Sequence, residues 1–205
     1  KDLFFHNLKG KLVPITENPD ILTAQMNQKL LEEKLENLKP FRNSQTEDLK
    51  IEAEAAISIF FDPSQGRKKI LFEKETNKKL PIASLAKLMT ANIVLENYDL
   101  SQEIEISKAA VSQESEFGNL KIAEKFLVKD LMYPLLMESS NDAAYALAEL
   151  QGVESFVELM NSKARDLGLL DTSFVNPTGL DPDSLNEIGN YSTVQDLAKL
   201  IENLL

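Results

Sequence analysis

The chain has 205 residues, 43% of them hydrophobic, and a formal net charge of −11. That is enough apolar material for one sizeable core, and the acidic balance, which a solvated acidic surface accounts for, argues against nucleic acid as a partner, because binding phosphate backbones needs a basic face. The sequence has no cysteine and one histidine, His6; this excludes disulfides, thiolate zinc sites and cysteine nucleophiles, and a Ser-His-Asp triad would have to recruit its base from the extreme N-terminus.

Residues 1–20 hold Gly10, Pro14 and Pro19 with no clear period. Residues 21–38 are predicted helical, with Leu22, Met26, Leu30, Leu31, Leu35 and Leu38 at spacings of three and four. Asp20 is placed to cap this helix and Pro40 to stop it. Its leucine stripe suits either a stalk that meets a partner or a helix packed on the rest of the chain. A polar linker covers 41–50. Residues 53–61 read as a strand rich in β-branched and aromatic side chains, Asp62–Gly66 as a turn, and 69–74 as the returning strand of a hairpin. Lys74–Leu80 is a polar loop closed by Pro81. From Ser84 to about Asn97 the pattern is helical and apolar over most of its surface, as expected of a helix buried in the domain centre. Ile104–Ile106 is a short extended piece, Lys108–Val111 a helical turn, and Gly118–Ile122 a second extended piece. Helices follow at Val128–Met137, Asn141–Gln151 and Ser155–Leu167, the last ending at Gly168. Pro134 should kink the first of these. Residues 171–190 form a turn-rich loop containing Asn176-Pro177-Thr178-Gly179, and Ser192 or Thr193 caps a final helix to Leu205. Few strands and many helices indicate an α+β class. No run of 18 apolar residues occurs, so nothing in this chain is expected to span a membrane. No signal peptide is visible either. The start at Lys1 reads as a trimmed or mature form and leaves open a membrane tether outside this chain.

Two short stretches carry chemistry. Ser84 and Lys87, three residues apart on a helix, share one face within hydrogen-bond range. Ser84 falls at the helix N-terminus, where free N–H groups and the macrodipole favour negative charge on its oxygen. Lys87, one turn into a mostly apolar helix, is hard to solvate; its pKa should fall and the neutral amine can take the serine proton. With no usable histidine, lysine is the natural base. The spacing alone also fits a capping serine followed by a solvated lysine. Between two apolar helices, Met137-Glu138-Ser139-Ser140-Asn141-Asp142 can point a serine and an asparagine into one cleft. Ser139 would relay a proton to a leaving group, and Asn141 would hold a substrate carbonyl and Lys87. Taken alone, Ser-Ser-Asn-Asp is ordinary helix N-cap sequence.

Lys79–Ala91 around Ser84-Leu85-Ala86-Lys87, Lys125–Ala144 through Ser139-Ser140-Asn141, Phe174–Asp181 and Tyr191–Ala198 occur in the order that resembles the D-alanyl-D-alanine carboxypeptidases, the low-molecular-mass penicillin-binding proteins. The resemblance covers residues 53–205. It implies the β-lactamase/penicillin-binding transpeptidase-like fold, a helical cluster plus an antiparallel sheet. Residues 1–50 are then an N-terminal extension with one amphipathic helix, and 51–205 a partial penicillin-binding domain. It also implies a mechanism. Ser84 attacks the carbonyl of the penultimate D-alanine of a peptidoglycan stem peptide with Lys87 as base, an acyl-enzyme forms, D-alanine leaves, and water hydrolyses the ester. β-Lactams would be covalent inhibitors at the same serine. No metal or organic cofactor is needed, and the implied location is extracytoplasmic, periplasmic or at the cell surface.

The family's third motif, Lys-Thr-Gly, is absent here; after Asn141 the only lysines are Lys163 and Lys199. The expectation is therefore an N-terminal portion of a longer protein, lacking the later strands, one wall of the cleft and half of the oxyanion hole; an immediate stop codon after Leu205 would defeat it. Loss of one oxyanion donor typically costs about a hundredfold or more in rate. Thr178 stands where the family's loop often has histidine and is assigned no catalytic role. Two other functions fit parts of the pattern. A serine β-lactamase would need a glutamate to activate the deacylating water, and 181–186 only superficially resembles such a loop. A non-catalytic homologue would bind peptidoglycan or a protein partner through the fold and its N-terminal helix. A calcium site at Asp181, Asp183 and Glu187 is rejected on spacing.

Overall fold

A computed structural model describes residues 5–6, 12–13, 23, 25–31, 49–62, 66–114, 120–182 and 188–205. The chain divides into two compact units, 1–49 and 50–205. In the first, strand β1 (Phe5–His6) pairs antiparallel with β2 (Leu12–Val13), His6 opposite Leu12. Residues 25–31 are helical there, and Met26, Leu30 and Leu31 are exposed. The remainder of the predicted 21–38 helix and most of the 41–50 linker lie outside the described residues.

The second unit is α+β. The predicted hairpin forms as β3 (Ala56–Asp62) against β4 (Arg67–Lys74), with an irregularity in register between Ser58 and Ile59. Strand β5 (Leu80–Pro81) leads into a single 3₁₀ turn, Ala83–Leu85, and then α1 (Ala86–Asn97). Strand β6 (Glu103–Glu105) is followed by α2 (Lys108–Val111), whose N-cap Ser107 accepts a hydrogen bond from the Ala110 amide. Next come β7 (Lys125–Leu127), α3 (Val128–Met137), α4 (Asn141–Glu149) and α5 (Val153–Asp166). The unit closes with β8 (Tyr191–Ser192) and α6 (Val194–Leu204), capped by Thr193 rather than Ser192. Among the described residues no helix is long and apolar enough to cross a membrane.

The extended piece expected at Gly118–Ile122 is not found over its described part, 120–122. Lys121–Glu124 is instead a turn: the Glu124 amide donates to the Lys121 carbonyl, and the Glu124 carboxylate accepts from the Lys121 amide. The strand begins at Lys125, where the chain can pair in register with Glu103–Glu105. Short apolar runs do not by themselves say which residues will find a partner strand.

Helix α1 is the centre of the unit and packs against α3, α4, α5 and α6. Met89 and Val94 of α1 and, around it, Leu131, Leu135, Leu147, Phe156, Met160 and Leu200 are fully buried. Each such side chain contributes about 1.5–3 kcal/mol, so the frame around α1 is stiff. The structure also pairs β5 with β8, 110 residues later in the chain: Leu80 lies opposite Ser192 and Pro81 opposite Tyr191. This ladder ties the approach to Ser84 to the end of the 171–190 loop.

Candidate active site

Ser84 lies in the 3₁₀ turn that precedes α1, so its side chain is exposed while Lys87, one turn on, is buried at 2% exposure. The residue before Ser84, Ala83, has φ of +43°. This is left-handed backbone that a non-glycine residue adopts only under constraint. The constraint comes from both sides: the Ile82 amide donates to the Asn190 carbonyl at 3.1 Å, and the turn closes from Leu85 back to Ile82 at 3.0 Å.

The Lys87 amine reaches three neutral acceptors from three parts of the chain. These are Ser84 Oγ at 3.2 Å, Asn141 Oδ1 at 2.7 Å and the Thr178 carbonyl at 2.6 Å. Burial pulls the Lys87 pKa down to about 8, because removal from water penalises the charged form. Near neutral pH an accessible fraction of the side chain is therefore a free amine. In that form two N–H groups suffice for Asn141 and Thr178, and the lone pair is left facing Ser84 Oγ.

Asn141 is the first residue of α4, and its amide nitrogen donates to the Glu114 carbonyl at 2.5 Å. The carboxamide is thus held at both ends, with its oxygen turned to Lys87. Ser140 is the fully buried N-cap of α4, accepting from the Ala143 amide at 3.1 Å. Ser139 is exposed, in the loop after α3, with φ of +57°. It is not among the three partners of Lys87. The structure therefore brings Ser84, Lys87 and Asn141 into one hydrogen-bonded cluster and leaves Ser139 on the solvent side of the same loop.

The turn-rich loop at 171–190 lies behind this cluster and supplies it with the Thr178 carbonyl, a role the sequence did not suggest. Asn176 Oδ1 accepts from the amides of Thr178 and Gly179 and from the Thr178 hydroxyl, and its nitrogen donates to the Leu180 carbonyl. Asn190 clasps the preceding residues, accepting from the amides of Val175 and Asn176 and donating to the Asn176 carbonyl. From α5, Asn161 both accepts from and donates to the Phe174 backbone. A loop rich in turn residues is in this way fixed by amide side chains, which match backbone groups in pairs. Gly179, at φ of +86°, lies so close to the nucleophile's backbone that a Cβ would strike the Ala83 carbonyl group and come within 2.9 Å of the Ser84 nitrogen. The signal in the sequence was the Asn-Pro-Thr-Gly turn itself; Thr178 contributes its main-chain carbonyl, which no side-chain inventory reveals.

Beside the cluster lies an open polar cavity of about 700 Å³, bordered by Glu114, Asn176, Thr178 and Asp181 among others. Among the described residues no three potential metal ligands converge.

Comparison with known proteins gives a consistent result. The profile of a family described as D-alanyl-D-alanine carboxypeptidase matches residues 41–205. D-alanyl-D-alanine carboxypeptidase DacF of Bacillus subtilis is 36% identical over 167 residues, covering 78% of this chain and 41% of that protein. The D-alanyl-D-alanine endopeptidase of Pseudomonas aeruginosa is 34% identical, covering 75% of this chain and 49% of that protein. The chain thus spans less than half the length of these relatives. Among solved structures it is similar to the D-alanyl-D-alanine carboxypeptidase DacD of Francisella tularensis, with 30% identity and a TM-score of 0.63 over 79% of this chain and 39% of that one. It is also similar to penicillin-binding protein D2 of Listeria monocytogenes in its ampicillin-bound form, with 32% identity and a TM-score of 0.59 over 78% of this chain and 64% of that one.

Proposed function

The chain belongs to the D-alanyl-D-alanine carboxypeptidase family, and on that premise we propose that it carries the acylation machinery of a serine-type D-Ala-D-Ala carboxypeptidase acting on peptidoglycan stem peptides outside the cytoplasm. Residues 51–205 are the part of the penicillin-binding domain that does so. The observation that carries this reading is the buried Lys87 amine, 3.2 Å from Ser84 Oγ and held by Asn141 and Thr178.

Ser84 Oγ attacks the carbonyl carbon of the penultimate D-alanine as its proton passes to the neutral Lys87 amine. The tetrahedral intermediate collapses with cleavage of the C–N bond. The departing D-alanine nitrogen takes a proton relayed from Lys87 by Ser139, leaving an ester on Ser84. Water then adds to the ester, the bond to Ser84 Oγ breaks, and the serine regains its proton. Asn141 has two tasks, orienting Lys87 and holding the substrate amide. The strained backbone at Ala83 and Ser139 suits this assignment, since such conformations cluster at sites where the surroundings over-determine them. A β-lactam entering the same site would acylate Ser84 through its ring carbonyl and, having no leaving group that departs, stay bound. The ampicillin-bound form of the Listeria protein supports extending this to the present chain.

The test is covalent labelling of the full-length protein with fluorescent penicillin, followed by release of D-alanine from a D-Ala-D-Ala-terminated pentapeptide. Labelling lost in Ser84→Ala and Lys87→Met, with D-alanine release by the wild type, is the expected result. Equal labelling of Ser84→Ala would overturn the assignment.

A further inference from the structure

Lys87 and Thr90 stand three residues apart on α1, on one face of the helix. Both reach across to the same loop and take consecutive carbonyls: Lys87 Nζ donates to Thr178 O at 2.6 Å, and Thr90 Oγ1 donates to Pro177 O at 2.7 Å. A helical threonine ordinarily returns its hydroxyl to a carbonyl of its own helix. Thr90, fully buried, reaches instead to a residue 87 positions away. Two peptide planes result. The Pro177–Thr178 plane is held by Thr90 at its carbonyl and by Asn176 Oδ1 at its N–H. The Thr178–Gly179 plane is held by Asn176 Oδ1 at its N–H and meets Lys87 at its carbonyl. Because both planes donate to the same Asn176 Oδ1, holding the first restricts the direction from which the second offers its carbonyl. The same loop bears on Ala83 and Ser84 through Gly179.

We propose that Thr90 is a positioning residue for Lys87, acting through the Pro177–Thr178 peptide to set the carbonyl that orients the amine and the height of the loop beneath Ser84. The inference rests on the reading of Lys87 as the base. Thr90 touches neither the substrate nor the reacting atoms; its effect passes through main-chain geometry. Among the described residues the hydrogen-bond partners of the Lys87 amine are neutral, the Ser84 hydroxyl ahead of α1, the Asn141 amide of α4 and the Thr178 carbonyl of the loop, so a shift of any one is felt directly.

The experiment compares Thr90→Val, which keeps the shape and loses the donor, with Thr90→Ser, which keeps the donor. Two readouts are taken on the full-length protein. In the first, penicillin acylation of Thr90→Val at saturating ligand slows about tenfold, short of the roughly hundredfold that a 1 Å misplacement can cost, while the half-saturating concentration stays fixed. Thr90→Ser returns to the wild-type rate. A fall in the labelled fraction at unchanged rate, or a Thr90→Ser as slow as Thr90→Val, would mean that Thr90 only supports folding and overturns the proposal. The second readout needs no turnover: the Lys87 amine is titrated by NMR in lysine-labelled protein. Its midpoint near 8 should rise toward the ordinary lysine value in Thr90→Val, as water follows the displaced carbonyl, and stay put in Thr90→Ser. An unchanged midpoint in Thr90→Val refutes the positioning role. If the wild type never acylates, the function proposed above fails, and the titration still decides the role of Thr90. Thr90→Ala, which leaves the same carbonyl unpaired, serves should Thr90→Val not fold, with the same expectation.

Discussion

Replacing Gly179 by alanine probes the tightest contact beneath Ser84. The backbone there has φ of +86°, and the added Cβ would collide with the carbonyl group of Ala83 and stand 2.9 Å from the Ser84 nitrogen. All three atoms are main chain, so no side chain can swing aside. Left-handed backbone costs a non-glycine residue about 1–2 kcal/mol, and forcing a methyl into a packed site costs about 1–3 kcal/mol more. Taking roughly 3 kcal/mol as a working value, a domain of this size should melt about 6–12 °C lower. The collision also pushes the Ala83–Ser84 peptide away from the loop, and Ser84 Oγ, already 3.2 Å from Lys87, moves out of hydrogen-bond range. Thermal denaturation followed by circular dichroism, run beside the rate of penicillin labelling below the melting point, measures both effects. Gly179→Ala that melts with the wild type, or melts lower yet acylates at the wild-type rate, would refute the claim that this glycine allows the loop to support the nucleophile.

Three further outcomes follow from the same geometry. Acylation should show an acidic limb with a midpoint near 8, because Lys87 must be neutral to accept the serine proton; a rate that is flat from pH 6 to about 9 would remove Lys87 as the base. The folded pKa of Lys87 lies below its ordinary value of 10.5, so unfolding takes up a proton between the two, and stability should rise with pH across about 8 to 10.5 by on the order of 3 kcal/mol. Urea unfolding of Lys87→Met at both ends of that window should lack this increment, and a variant that keeps it would place the depression elsewhere. The adjacent serines should separate cleanly. Ser140→Ala loses the α4 N-cap and about 1 kcal/mol, whereas Ser139→Ala, exposed, should stay within about 0.5 kcal/mol of wild type yet acylate slowly; the reverse pattern in melting and labelling would exchange their roles.

Much of the scaffold was local and therefore legible. Helix α3 runs from Val128 to Met137 as expected, even with Pro134 inside it, because its period and borders are written in adjacent residues. The β3–β4 hairpin followed from its apolar runs and the turn between them. The strand placed at Gly118–Ile122 failed for the opposite reason: residues 120–122 are as extended-prone as Lys125–Leu127, and only pairing with Glu103–Glu105 chose between them. The exposed helical residues Met26, Leu30 and Leu31 show the same limit, since a stripe indicates a face and not what the face meets.

The sequence by itself determined that Ser84 and Lys87 lie one helical turn apart, that the lysine sits in an apolar helix, and that the one histidine, His6, is far from both along the chain. These are properties of neighbours in the chain, governed by helical spacing and desolvation. Asn141 was expected to hold Lys87, but only the tertiary structure decided how the amine is aimed. Asn141 reaches Lys87 from 54 residues away and the Thr178 carbonyl from 91, and the pairing of β5 with β8 brings the loop under the nucleophile. A main-chain carbonyl is the same in every residue, so its use as an acceptor leaves no mark in the sequence; it becomes visible only when Thr90, Asn176 and Asn190 have fixed the loop in which it stands.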